Sequence, residues 1–287
     1  MSNTQQDVTR EVLDSVRDFL GGPKPAGDEW HFDFGAHLFS NWGAVYGGAI
    51  AAGLLTVARS ATPERSPRAL HIQMVRSIPS GRVFATAAVR HPGRTVATVE
   101  VELYDERRKL AAIALLTMVT PEAVAAEYDR ATAAPRIHVT ERPFVDPMSM
   151  QDAGIVAALD INSRFIRDGL MPLAANVRTS VDGSSARFLE CRVPWNALGV
   201  TGPEAACLAA DAVVGAVILE SFVPDEALGP NPDLSLRFTT APATSVISAA
   251  STLLSVQHGT ATVGLEVQAG DNQLAHGLAT SLLLPFS

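Results

Sequence analysis

The chain has 287 residues, 47% of them hydrophobic and 18% charged, so it can bury a sizeable core. Its formal net charge of −8 argues against a nucleic-acid partner. No run of 18 consecutive apolar residues is present to span a bilayer, and the start, Met1-Ser2-Asn3-Thr4-Gln5-Gln6-Asp7, lacks the basic-then-apolar pattern of a signal peptide.

Residues 8–20 place Val8, Val12, Val16, Phe19 and Leu20 on one helical face, and Gly21-Gly22-Pro23 ends that lead-in helix. Residues 30–34 alternate Trp30, Phe32 and Phe34 against His31 and Asp33, a first strand. A helix that is apolar nearly all round, hence central and buried, opens at Val45-Tyr46-Gly47-Gly48-Ala49-Ile50 and runs to about Ala58. Four strands follow at 70–78, 83–90, 95–104 and 110–120; in the third, Val99, Val101 and Leu103 share one face and Thr98, Glu100 and Glu102 the other. Residues 121–150, rich in Ala and charge and carrying Pro135, Pro143 and Pro147, read as a linker. A strand at 186–193 and a helix from about Glu204 come next, with Val213-Val214-Gly215-Ala216-Val217-Ile218 in its apolar run. Strands at 234–240, 246–255, 260–268 and 274–284 complete the chain. Asp105-Glu106-Arg107-Arg108 and Gly270-Asp271-Asn272 mark corresponding hairpin turns. Cys191 and Cys207 lie among apolar residues and read as buried free thiols of a cytoplasmic chain.

This order, one long apolar helix and then four strands, occurs twice. The segments Gly93-Arg94-Thr95-Val96-Ala97-Thr98-Val99-Glu100-Val101 and Gly259-Thr260-Ala261-Thr262-Val263-Gly264-Leu265-Glu266-Val267 stand in register at an offset of 166 residues. A buried helix wrapped by a curved antiparallel sheet, made twice, is an α+β double hotdog. The expected domains are residues 1–120, the linker 121–150, and residues 151–287. A cleft between two fused halves is a natural place for a ligand.

The stretches Val45-Tyr46-Gly47-Gly48, then 70–81 (LHIQMVRSIPSG), then Gly93-Arg94-Thr95 resemble the N-terminal half of acyl-CoA thioesterase II-like double-hotdog proteins. That resemblance implies hydrolysis of an acyl-CoA or acyl-carrier thioester, with no cofactor and no metal, by a homo-oligomer. Its catalytic aspartate, threonine or serine, and glutamine hold the attacking water. Carried over, the aspartate falls on Asp211, the threonine on Asn231, and the glutamine on Ala279, with Thr280 one residue on. One position matches, one is a polar replacement, and the third is lost unless Thr280 takes it.

The residues themselves support part of this. Asp211 interrupts an apolar helix, where a carboxylate is costly unless hydrogen-bonded or used as a base; a helix-dipole role is the plainer alternative. Gly47 and Gly48 at a helix start would let a carbonyl reach free N–H groups, or would simply allow close packing. Tyr46 and Gly47 are then placed toward the substrate, and Arg76 and Arg94 toward coenzyme A phosphates unless they are only solvated. Asn231, between Pro230 and Pro232, would hold the water or turn the chain. The seven histidines show no metal-ligand spacing, and neither a G-x-S-x-G elbow nor a G-x-G-x-x-G or Walker loop is present. The rival to a hydrolase is a repurposed hotdog that binds or transforms an acyl or polyketide-like ligand, which the alanine at 279 favours. A third reading is a scaffold used only for oligomerisation.

Overall fold

The structure, a computed structural model, describes residues 16–39, 43–121, 176–181, 187–193, 202–221, 230–239, 247–269 and 272–284. The first part of the lead-in helix and nearly all of the expected linker lie outside these residues; residues 16–20 are helical.

In the first half, β1 (Lys24–Ala26) and β2 (Glu29–Asp33) precede α1 (Gly47–Ala61). Strands β3 (Ser66–Met74), β4 (Arg82–Pro92), β5 (Val96–Asp105) and β6 (Leu110–Val119) follow. The second half repeats the plan with β7 (Asn176–Val181), β8 (Arg187–Val193), α2 (Gly202–Ser221), β9 (Asp233–Phe238), β10 (Ile247–Gln257), β11 (Thr260–Ala269) and β12 (Asn272–Leu282). The edge strands β1 and β7 carry no sequence signal strong enough to expect them. Strand β3 ends four residues before the expected Ile78, because Val75 and Arg76 both turn their N–H groups onto the Ala111 carbonyl.

All described strands form one antiparallel sheet in the order β1-β2-β4-β5-β6-β3-β9-β12-β11-β10-β8-β7. The order is palindromic about the β3–β9 junction. Val99 and Leu265 correspond in the repeat. Hydrogen-bond register leads from Val99 through Leu116 to Leu70, and from Leu265 through Gly277 to Leu236. Leu70 and Leu236 then pair directly with each other, so the pseudo-two-fold axis passes between them. The double hotdog is therefore a continuous sheet as well as two similar halves.

Alternation sorts the two faces. Leu70, Ile72, Leu234 and Leu236 are fully buried under the helices, while His71, Gln73 and Arg237 are exposed on the other side. Every residue of α1 from Gly48 to Ala58 is buried, as an all-round apolar helix requires. The helix starts at Gly47 and not at Val45, because the preceding N–H groups are already used. Val45 donates to the Ile78 carbonyl and Tyr46 to the Leu38 carbonyl, which holds the chain extended up to Tyr46.

The two helices cross in antiparallel sense. Near the start of α1, Gly48 meets Asp211 of α2; near its end, Arg59 Nη1 donates to Glu204 Oε1 at 2.6 Å. Glu204 is fully buried and its Oε2 has no partner among the described residues. The pairing sets a cation in the last turn of one helix against an acid in the first turn of the other, so each charge complements its own helix dipole.

Candidate active site

The helix α1 has no side-chain cap of its own: Tyr46 occupies the N-cap position without a capping hydrogen bond. The other half of the molecule supplies one. Asp211, the tenth residue of α2, is 5% exposed, and its Oδ2 accepts the Gly48 N–H at 2.8 Å. Gly48 is the second residue of α1, the position an N-cap oxygen ordinarily serves, so the carboxylate sits on the positive end of the helix dipole. From the stretch leading into β9, Asn231 Nδ2 donates to Asp211 Oδ1 at 3.1 Å. The Tyr46 hydroxyl donates to the Leu208 carbonyl, one turn before Asp211, at 2.9 Å.

These contacts set the charge state. Burial pushes the Asp211 carboxyl above its ordinary range, and the hydrogen bonds from Asn231, Gly48 and Tyr46 pull it back toward ionisation. A carboxylate held between desolvation and donors is poised to take and return a proton. Burial also pushes the Cys207 thiol well up, so this free cysteine, one turn from Asp211, is neutral and behaves as a small apolar residue.

The structure thus brings together Asp211, Asn231, Tyr46, Gly47 and Gly48, from both halves. It redirects several expectations. The Gly48 N–H bonds Asp211 and is not open to a substrate oxygen, whereas the Gly47 N–H has no partner among the described residues. Tyr46 is 4% exposed with its hydroxyl turned onto α2, so it faces the other helix and not an open substrate surface.

Thr280 pairs in register with Asp233, and its hydroxyl donates to Asp233 Oδ2. Its neighbours Ala279 and Ser281 are fully buried, which puts Thr280 on the sheet face away from the helices. Ala279 itself faces the helices, beside Leu234.

Arg76 is exposed just beyond the Met74 end of β3, the end that meets Gly47. Arg94 is exposed at the opposite end of that strand, where Arg65 Nη2 holds the Gly93 carbonyl. Eight residue steps at about 3.3 Å each separate the two ends by roughly 26 Å.

The two helices touch backbone to backbone at this level. A methyl group built on Gly48 would lie 2.9 Å from the Cys207 carbonyl oxygen and 3.0 Å from Leu208 Cα. Among the described residues no three His, Cys, Asp or Glu side chains converge as metal ligands, and no helix is long and apolar enough to cross a membrane.

Solved structures share this architecture. A thioesterase II from Thermobifida fusca, itself so described provisionally, superposes with a TM-score of 0.69 at 16% identity, covering 95% of this chain and 97% of that one. A thioesterase from Novosphingobium aromaticivorans, again a provisional description, gives 0.67 at 21% identity over 91% and 97%. The dehydratase domain of RzxB from Pseudomonas fluorescens gives 0.57 at 15% identity over 89% and 92%. These similarities establish the class: the chain is a double-hotdog protein. No curated protein sequence matches it. Residues 38–119 match the family model of the acyl-CoA thioesterase N-terminal domain.

Proposed function

We propose that the chain hydrolyses acyl thioesters, with coenzyme A or an acyl-carrier protein as the thiol carrier. One observation carries the reading: a buried carboxylate, Asp211, is held at the N-terminus of the opposite half's helix with Asn231 on its other oxygen. Asp211 aims a water and accepts its proton as the water oxygen attacks the thioester carbonyl carbon. The Asn231 side-chain oxygen, left over when its amide donates to Asp211, accepts the water's second hydrogen. The developing oxyanion lies at the helix start, where the dipole and the Gly47 N–H favour negative charge. Collapse breaks the carbon–sulfur bond, and Asp211 returns the proton to the departing thiolate. The products are a carboxylic acid and a free thiol.

Gly48 serves by orienting Asp211, and Thr280 stays outside the reacting group. Arg76 is the better placed of the two arginines to meet coenzyme A phosphates. The match to an acyl-CoA thioesterase domain and the fold shared with thioesterases support this reading. A cytoplasmic site of action and self-association belong to the same proposal.

The capping role of Asp211 is a purely structural alternative, and one substitution separates the two. Asparagine caps a helix about as well as aspartate but is no base. Thiol release from a panel of short to long acyl-CoA substrates is measured for the wild type and Asp211→Asn. Turnover in the wild type that falls by about 10²–10⁴ in Asp211→Asn is expected. Absence of turnover at every chain length, or equal turnover by both proteins, overturns the proposal.

A further inference from the structure

We propose that Tyr46 is a positioning residue for this site, its hydroxyl fixing the Asp211 turn of α2 against the N-terminus of α1. The inference rests on the hydrolase reading above for its catalytic consequence, but not for its geometry. Tyr46 is the last extended residue before α1, held there by its own N–H on the Leu38 carbonyl. Its ring lies against Gly48, where an added methyl would meet Tyr46 Cε1 at 2.7 Å. Its hydroxyl reaches the Leu208 carbonyl at 2.9 Å. The same hydroxyl also helps to draw the buried Asp211 carboxyl back toward ionisation. A phenol carries one proton, so Leu208 and Asp211 share a single donor. When Asp211 is ionised, donation to the carboxylate is favoured, because a charged acceptor makes the stronger bond. When Asp211 has taken a proton, the hydroxyl falls back on the Leu208 carbonyl. Tyr46 thereby steadies the ionised form and keeps one oxygen of the carboxylate aimed.

The surrounding ionisable groups leave this effect readable. On α2, Cys207 stays neutral and Glu204 is paired with Arg59 of α1. On β9, Asp233 takes the Thr280 hydroxyl. The described strand packed against Gly47, β3, contributes Met74 there, while His71 of that strand bonds Ser235 on the far face.

The test is Tyr46→Phe, which keeps the ring against Gly48 and removes only the oxygen. The Asp211 carboxyl is titrated by carbon NMR in the wild type and the variant, with Asp211→Asn identifying its signal. The acid limb of kcat/KM for an acyl-CoA substrate is measured alongside. The hydroxyl's loss should move the Asp211 titration to higher pH by about half a unit to one unit. The acid limb should move with it, lowering kcat/KM there by up to about tenfold. A titration and an acid limb that both stay put, or that move to lower pH, overturn the proposal. If the wild type releases no thiol, the hydrolase reading fails, and the NMR titration alone still decides the role of Tyr46.

Discussion

Gly48→Ala tests whether the two halves are locked backbone against backbone at the site. The added methyl would stand 2.7 Å from Tyr46 Cε1, 2.9 Å from the Cys207 carbonyl oxygen and 3.0 Å from Leu208 Cα. Two of these atoms belong to the α2 backbone and cannot swing aside, so the helices must separate by several tenths of an ångström. Overpacking of this kind costs about 1–3 kcal/mol. Alanine returns up to about 1 kcal/mol of helix propensity, less in the first turn. The net expectation is a loss of about 1–2 kcal/mol, or a fall in Tm of about 2–4 °C for a chain of this size. The same movement lengthens the 2.8 Å Gly48–Asp211 bond, so activity should fall as well. Gly53→Ala is the internal control. Its methyl meets Phe32 and Phe34 ring carbons at 3.2–3.4 Å, and rings can shift, so its stability should stay within about 1 kcal/mol of wild type. Urea denaturation and calorimetry on both variants decide the matter. A Gly48→Ala protein as stable as wild type would refute the reasoning.

Other substitutions probe the buried charges. Asp211→Ala leaves the Gly48 N–H and the Asn231 amide without their acceptor and should cost about 2–4 kcal/mol, whereas Asp211→Asn should stay within about 1 kcal/mol of wild type because Asn231 can flip its amide; urea denaturation measures both. Burial raises the native Asp211 pKa, so the native state binds this proton more tightly than the unfolded state does. The corresponding stability is fully present below the unfolded pKa of about 4 and is lost as pH rises through the folded value. Stability of Asp211→Asn relative to wild type should therefore grow as pH rises from about 3.5 to 7, and a pH-independent difference would contradict the account. Arg59→Met strands the fully buried Glu204 and should cost about 3 kcal/mol, while Arg59→Met with Glu204→Met should come back to near wild-type stability in a double-mutant cycle.

Much of the architecture was legible because it rests on periodicity. The copies of the Gly93 and Gly259 segments, which alternate apolar and polar residues from Ala97 and from Thr260 onward, place β5 and β11 without any tertiary information. The palindromic sheet was not legible in detail, since the Leu70–Leu236 pairing joins residues far apart in the chain. The short edge strands β1 and β7 carry too few alternating residues to announce themselves.

At the site, a carboxylate inside an apolar helix marks Asp211 from its burial cost alone. What it touches, the Gly48 N–H 163 residues away, is a tertiary fact that no local pattern encodes. The same holds for Glu204, which reads in sequence as an ordinary first-turn acid yet is fully buried against Arg59. Strand alternation alone puts Thr280 on the opposite face from Ala279 and Ser281.

A single-turnover reaction in ¹⁸O-labelled water tests most directly that Asp211 drives water onto a thioester carbonyl. Wild-type protein in excess over an acyl-CoA substrate should release thiol and place one labelled oxygen in the carboxylic acid, with none on Asp211, and Asp211→Asn should slow that step by at least about a hundredfold. Label appearing on the Asp211 carboxyl would mean that this side chain attacks the carbonyl itself. Thiol release that proceeds undiminished in Asp211→Asn would mean that the reaction does not run through this residue.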